Sequence, residues 1–197
     1  DLGGGRVLLV IADVSGKGVP AALLMSGFRA SLMSQDAHVL GPDRLAERVN
    51  EFLHRSVESG KFVTAFLGFL EAGNGRLVYA NAGHNYPRLR RANGEVESLM
   101  AGGVPLGLFD DAVYEQDELA FSAGDSLLLF SDGISEAMDT FQQEFGEERL
   151  EEVWRQCGHG PGIVTIDRIM GEVIEFRGSA PQSDDMTTVV VSPATGA

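Results

Sequence analysis

Unbroken apolar runs alternate along this chain with stretches in which apolar residues recur every three or four positions, the marks of strands and helices respectively. Arg6 to Ala12 (RVLLVIA) is the first such run and stops in the turn-like Asp13-Val14-Ser15-Gly16-Lys17-Gly18. It predicts a strand buried on both faces. Helical spacing follows from Pro20 to Gln35 through Leu24, Phe28 and Leu32, with Pro20 acceptable in a first turn. A second helix is expected from about Asp43 to Ser59, its stripe formed by Leu45, Val49, Phe52 and Val57.

The texture changes after Gly60. Val63 to Leu70 and Arg76 to Ala82 flank Gly73-Asn74-Gly75, a hairpin signal, and Arg88 to Arg91 and Glu95 to Leu99 flank Asn93-Gly94, a second one. Val113 to Phe121 and Ser126 to Ser131, split by Ala123-Gly124-Asp125, suggest a third. Helical spacing returns from about Gly146 to Cys157 through Leu150, Val153 and Trp154, a stripe that reads as core. Another helix is expected from about Gly162 to Phe176, and Met186 to Val191 reads as a last strand. No repeat, low-complexity tract or linker interrupts the pattern. Hairpin-joined strands with helices before and after them favour an α+β fold, with helices packed outside antiparallel sheets.

A chain of 197 residues, 44% hydrophobic and 22% charged, suits one domain of an ordinary globular protein. No apolar run approaches the roughly 20 residues that span a bilayer, and no signal-peptide pattern opens the chain. The lone Cys157 excludes an internal disulfide and a cysteine-rich zinc site. A cytoplasmic location is the expectation. The net charge of −14 argues against a generic nucleic-acid binder, which needs positive potential. Carboxylates gathered at one place attract divalent cations instead, so their placement matters.

Three acidic positions border the most apolar strands: Asp13 follows RVLLVIA, Asp132 follows SLLLFS, and Asp184-Asp185 precede MTTVVV. In antiparallel sheets the end of one strand lies beside the start of its neighbour, so these positions can meet at one rim. Like charges held close repel and lose hydration, and a bound cation compensates them. Carboxylates without Cys or clustered His favour Mg2+ or Mn2+ over zinc. The plainer reading is that each Asp simply ends a strand in a turn. Pattern leaves both open.

Several ordered motifs carry a resemblance: Ala12-Asp13-Val14-Ser15-Gly16-Lys17-Gly18, Ala82-Gly83-His84-Asn85, Ser131-Asp132-Gly133 and Asp184-Asp185-Met186-Thr187. Pro105-Leu106-Gly107-Leu108, Ile134-Ser135-Glu136-Ala137 and Phe145-Gly146-Glu147-Glu148-Arg149-Leu150 add to it. In this order they resemble the PPM superfamily of metal-dependent protein phosphatases, in its bacterial SpoIIE and RsbU-like branch. The resemblance spans nearly the whole chain. It implies a four-layer αββα sandwich, two central antiparallel sheets flanked by helix pairs. It implies that Asp13 bridges two Mn2+ or Mg2+ ions, with the Val14 carbonyl, Asp132 and Asp184 completing the site. Gly133, Asp185, Glu136 and His84 are further candidate positions. The metals would activate a water, so that hydroxide attacks phosphorus in line without a covalent phosphoenzyme. The implied substrates are phosphoserine or phosphothreonine proteins, commonly anti-sigma-factor antagonists.

Members of this family also carry an acidic Gly-Gly-Asp-x-x-Asp motif about one strand upstream of Asp13. Here the chain opens at Asp1-Leu2-Gly3-Gly4-Gly5, so that strand and one acidic contribution are expected to lie outside it. A sensor or receiver domain upstream is a common arrangement in the family. Ser15 stands where eukaryotic relatives carry a proposed acid, a His, which leaves the general acid unassigned. His84 suits acid–base work or a purely structural role in its loop. Lys17 reads as a phosphate attractor or a solvated turn lysine, and Glu136 as a water-orienting group or a carboxylate at a helix start. Gly16-Lys17-Gly18 is not a P-loop, because Ile11 stands where its first glycine belongs and Gly18 replaces the Ser or Thr. The alternative to an enzyme is a phosphatase-like binding module that recognises a signalling partner with little or no catalysis.

Overall fold

The β-branched and aromatic runs become strands and the spaced apolar stripes become helices, in a computed structural model that describes residues 1–56, 60–158 and 160–193. In chain order the elements are β1 (Arg6–Val14), α1 (Gly18–Ser34), α2 (Pro42–Ser56), β2 (Val63–Glu71), β3 (Arg76–Ala82), β4 (Arg88–Arg90), β5 (Val96–Ser98), β6 (Gly102–Gly103), β7 (Asp117–Ala120), β8 (Ser126–Phe130), α3 (Asp132–Ser135), α4 (Glu147–Gln156), α5 (Gly162–Arg177) and β9 (Thr188–Val191). They divide between two compact units, Asp1–His84 with Met100–Phe121, and Asn85–Leu99 with Ser122–Ala197.

The sheet of the first unit runs β1-β2-β3-β6, with β7 also paired to β3. The β1–β2 and β2–β3 pairs are antiparallel, and β2 and β3 form the expected hairpin. A two-residue parallel pairing of β3 with β6 was not legible in the sequence. Alternate residues of β2 (Val63, Ala65, Leu67 and Phe69) pack with Leu24 and Phe28 of α1 and Leu45, Val49 and Leu53 of α2 in one core. Two expectations are corrected here. β1 is not buried on both faces: among the described residues β2 is the one strand paired with it, at the edge of the sheet, and Ile11 is its one buried residue. In α2 the buried row runs through Leu45, Val49 and Leu53, whereas Phe52, about 100° round the helix from Leu53, is 43% exposed. The Val57 expectation lies outside the described residues.

The second unit holds an antiparallel sheet in the order β5-β4-β8-β9. Leu128 and Phe130 of β8 pack with Leu150, Val153 and Trp154 of α4 and with Ile169 and Val173 of α5. Trp154 is fully buried, a core residue as read. The Asn93-Gly94 hairpin forms between β4 and β5. The third expected hairpin does not: β7 joins β3, whereas β8 joins β4 and β9. The buried Asp125 explains why. Its carboxylate accepts hydrogen bonds from the amides of Ser122 (3.0 Å) and Ala92 (3.1 Å) and pairs with Arg91 (3.0 Å), which fastens the turn to the end of β4. The fold is α+β, two antiparallel sheets with flanking helices. Among the described residues no helix is long and apolar enough to cross a membrane.

Candidate active site

In the first unit Asp13 stands at the penultimate position of β1, directly opposite Thr64 of β2, and is exposed. Val14 closes the strand. One residue further, the Ser15 amide donates to the Phe62 carbonyl (3.0 Å) while the Phe62 amide donates to Ser15 Oγ (2.9 Å). The serine hydroxyl thus stands in for one rung of the ladder where the strand gives out. Gly16 (φ 94°) then takes a backbone conformation that residues with a Cβ rarely adopt, turning the chain towards α1. This bond to Phe62 gives Ser15 a structural role.

Directly opposed residues share a face of an antiparallel pair, so Thr64 lies beside Asp13. The Thr64 hydroxyl is 3.0 Å from Nδ1 of the buried His84. The His84 amide donates to Asn81 Oδ1 (2.7 Å), and Asn81 Nδ2 donates back to the His84 carbonyl (3.0 Å). Gly83 has φ 71°, and a Cβ there would lie 2.6 Å from Pro105. The Ala-Gly-His-Asn and Pro-Leu-Gly-Leu motifs therefore meet through close backbone packing.

The second unit assembles a different strand end. The Ser131 amide donates to the Thr187 carbonyl (3.0 Å), and Ser131 Oγ accepts from the Thr187 amide (3.0 Å) and donates to the Asp185 carbonyl (3.0 Å). Gly133 lies so close to the facing chain that a Cβ would sit 2.2 Å from the Asp185 carbonyl oxygen. Residues 131–133 and 184–187 are thereby knitted together. Asp132 opens the single turn α3, and its carbonyl accepts from the Glu136 amide (2.7 Å). Asp184 Oδ1 accepts from the Asp185 amide (2.8 Å). Partial burial, and then the like charges of Asp132, Glu144 and Asp184, push the Glu136 carboxyl above the usual glutamate range.

Of the positions read from sequence, Asp13, Val14, Lys17 and His84 fall in the first unit, and Asp132, Gly133, Glu136, Asp184 and Asp185 in the second. Within each unit, no three His, Cys, Asp or Glu side chains among the described residues are grouped closely enough to hold a metal ion. The donor chemistry suits a hard cation nonetheless. The donors beside Asp132 are carboxylates and carbonyls, and the repulsion that raises Glu136 is what a divalent cation relieves. Sequence reasoning missed Ser131, Thr187, Thr64, Asn81 and Glu144. A serine immediately before the strand-end Asp was the one local signal; the other contacts depend on long-range pairing.

The chain is similar in sequence and fold to known proteins. The family model described as Stage II sporulation protein E (SpoIIE) matches residues 3–193. Phosphoserine phosphatase RsbU of Bacillus subtilis (strain 168) is 32% identical over 130 residues, which cover 65% of this chain and 38% of that protein. The PP2C phosphatase domain and regulatory fragment of SpoIIE from Bacillus subtilis superposes with a TM-score of 0.82 at 22% identity, covering 100% of this chain and 56% of that one. The catalytic domain of the serine/threonine phosphatase PstP, solved with two manganese ions, gives 0.64 at 19% identity, covering 93% and 85%. The two structures share the fold. The chain spans about a third of the length of the curated relatives it matches (33–38%).

Proposed function

We propose that this chain, which belongs to the Stage II sporulation protein E (SpoIIE) family, hydrolyses phosphoserine or phosphothreonine on a bacterial signalling protein. In this reading residues 1–197 form one phosphatase domain of a cytoplasmic protein, with a sensor or regulatory domain upstream. The substrate is an anti-sigma-factor antagonist; that it carries phosphoserine is in keeping with the phosphoserine phosphatase RsbU among the relatives. The observation that carries the reading is the knitting of Ser131-Asp132-Gly133 to Asp184-Asp185 beside Glu136, which gathers acidic groups at a strand end.

The carboxylates of Asp13, Asp132 and Asp184 and the Val14 carbonyl would hold two Mn2+ or Mg2+ ions; the PstP catalytic domain, which shares the fold, was solved with two manganese ions. When bound, such ions offset phosphoryl charge and make water a stronger nucleophile. The chain's own groups orient the parts. Ser131 and Gly133 fix the backbone on either side of Asp132. Asp185 supports Asp184 through its amide. Glu136, pushed up by desolvation and then by its acidic neighbours, holds a proton more readily than an ordinary glutamate and orients water. His84, anchored on Thr64 and Asn81, shapes its loop.

That, among the described residues, no three His, Cys, Asp or Glu side chains of either unit are grouped closely enough to hold a metal ion favours a second reading, a binding module without turnover. Phosphate release from a phosphorylated anti-sigma-factor antagonist decides between them. The phosphatase reading expects release that needs Mn2+, stops with a chelator and is lost in Asp13→Asn and Asp132→Asn. Stable binding of the phosphoprotein without release, in protein supplied with Mn2+, would establish the module instead.

A further inference from the structure

The hairpin of residues 137–146, between α3 and α4, supplies none of the proposed metal ligands, yet it is carefully built. Met138 and Glu144 pair across an antiparallel bridge. The Phe145 amide donates to the Ala137 carbonyl (2.8 Å), the Gly146 amide to Ser135 (2.8 Å) and the Asp139 amide to Gln143 (3.0 Å). At the turn, Asp139 Oδ1 accepts from the amides of Phe141 (2.8 Å) and Gln143 (2.9 Å).

Two features of the tip work against stability. Gln142 has φ 65°, the one non-glycine residue in the left-handed region among the described residues. That conformation is costly for any residue with a Cβ. Beside it Phe141 is 82% exposed, the most exposed large apolar side chain among the described residues, and gains little from burial. Isolated exposed apolar residues are common on surfaces. An aromatic ring held out by a strained and well-fastened turn is not, because such strain persists only where surrounding structure enforces it, and it collects at functional sites.

The stem leads to the acidic residues of the second unit. Glu136 directly precedes it, and Glu144 within it acts electrostatically on Glu136 together with Asp132 and Asp184. Phe141 stands three residues from Glu144, at the tip of the same hairpin. The tip itself is uncharged: Thr140, Phe141, Gln142 and Gln143 carry no charge, and the Asp139 carboxylate is engaged by backbone amides. Such a tip recognises apolar surface rather than a charged group.

We infer that Phe141 is a substrate-docking residue, whose ring meets an apolar side chain of the phosphoprotein within a few residues of its phosphoserine. The inference rests on the phosphatase reading and adds a source of substrate selectivity to it.

Two phosphoserine peptides of equal length test it, one with leucines two to four residues from the phosphoserine on both sides, the other with alanines there. With Mn2+, the wild-type chain is expected to show about tenfold higher kcat/KM for the leucine peptide. In Phe141→Ala that ratio falls to about one, and Phe141→Leu restores part of it. Equal turnover of both peptides by the wild type, or a preference that survives in Phe141→Ala, would overturn the docking role and leave the phosphatase standing. If the wild type hydrolyses neither peptide nor p-nitrophenyl phosphate, the phosphatase reading fails on its own. Fluorescence polarisation then decides the docking role: tighter binding of the leucine peptide, lost in Phe141→Ala, upholds it, and equal affinity sinks it. Phe141-dependent dimerisation in sedimentation velocity would overturn it in favour of a second copy.

Discussion

Asp13 in the first unit and Asp132 in the second both stand where strand pairing runs out, and in each a serine carries the ladder one pair further. Ser15 does so with Phe62, and Ser131 with Thr187. The surroundings differ. Ser131 is 6% exposed, uses its hydroxyl as both donor and acceptor, and lies two residues from a glycine pressed against the facing backbone. Ser15 is only partly buried and accepts from the Phe62 amide, and its chain turns through Gly16, where a Cβ would meet only the end of the Lys61 side chain (3.3 Å), and Gly18, which has open space. The end that presents Asp132 is therefore preformed. The end that presents Asp13 leads into an exposed turn with left-handed glycines, so more of the ordering cost of a ligand falls there.

Glycine substitution should break this comparison most sharply. Gly133→Ala forces a Cβ to 2.2 Å from the Asp185 carbonyl and is expected to cost about 3 kcal/mol in urea unfolding. Gly16→Ala meets only the mobile end of Lys61, so it should cost about 1 kcal/mol, from the left-handed backbone alone. Equal losses would remove the distinction. Removing the two hydroxyls probes it more gently. Ser131→Ala leaves the Thr187 amide and the Asp185 carbonyl without this part-buried partner and should cost about 2 kcal/mol, against about 1 kcal/mol for Ser15→Ala.

The acidic character of the second unit sets a pH dependence. Glu136 titrates above its unfolded value, so its contribution to stability is fully present below the ordinary glutamate range. It is lost as pH rises through the raised value. Metal-free protein should therefore lose stability over that window, and Asp184→Asn should lower the Glu136 midpoint and flatten the loss. Carbon-detected NMR titration of Glu136 and melting curves against pH read the two effects. The smallest change is expected at the loop tip. Gln142→Gly relieves the left-handed strain but frees the unfolded chain, for a net gain of about 0.5 kcal/mol in thermal unfolding.

The parts of this picture that were legible in the sequence are the local ones. Gly73-Asn74-Gly75 and Asn93-Gly94 form their hairpins because their turn chemistry agrees with the strands on either side. Ala123-Gly124-Asp125 looks equally suitable, yet Arg91 and Ala92 capture Asp125 and send β8 to another sheet. The apolar run of β1 predicted burial on two faces, but burial depends on neighbours, and β1 has a partner on one side only. At the candidate site, the strand-end aspartates could be read from their positions. The contacts of Ser131 with Asp185 and Thr187 join residues 54 and 56 apart, and no local pattern encodes such a pairing.

Calorimetric titration with Mn2+ addresses the proposed role of Asp13, Asp132 and Asp184 most directly. The wild-type chain should take up Mn2+ saturably, and Asp13→Asn and Asp132→Asn should each weaken uptake by at least about tenfold while leaving the fold intact by circular dichroism. No uptake at millimolar Mn2+, or uptake unchanged in both variants, would show that these aspartates do not form the metal centre of a phosphatase.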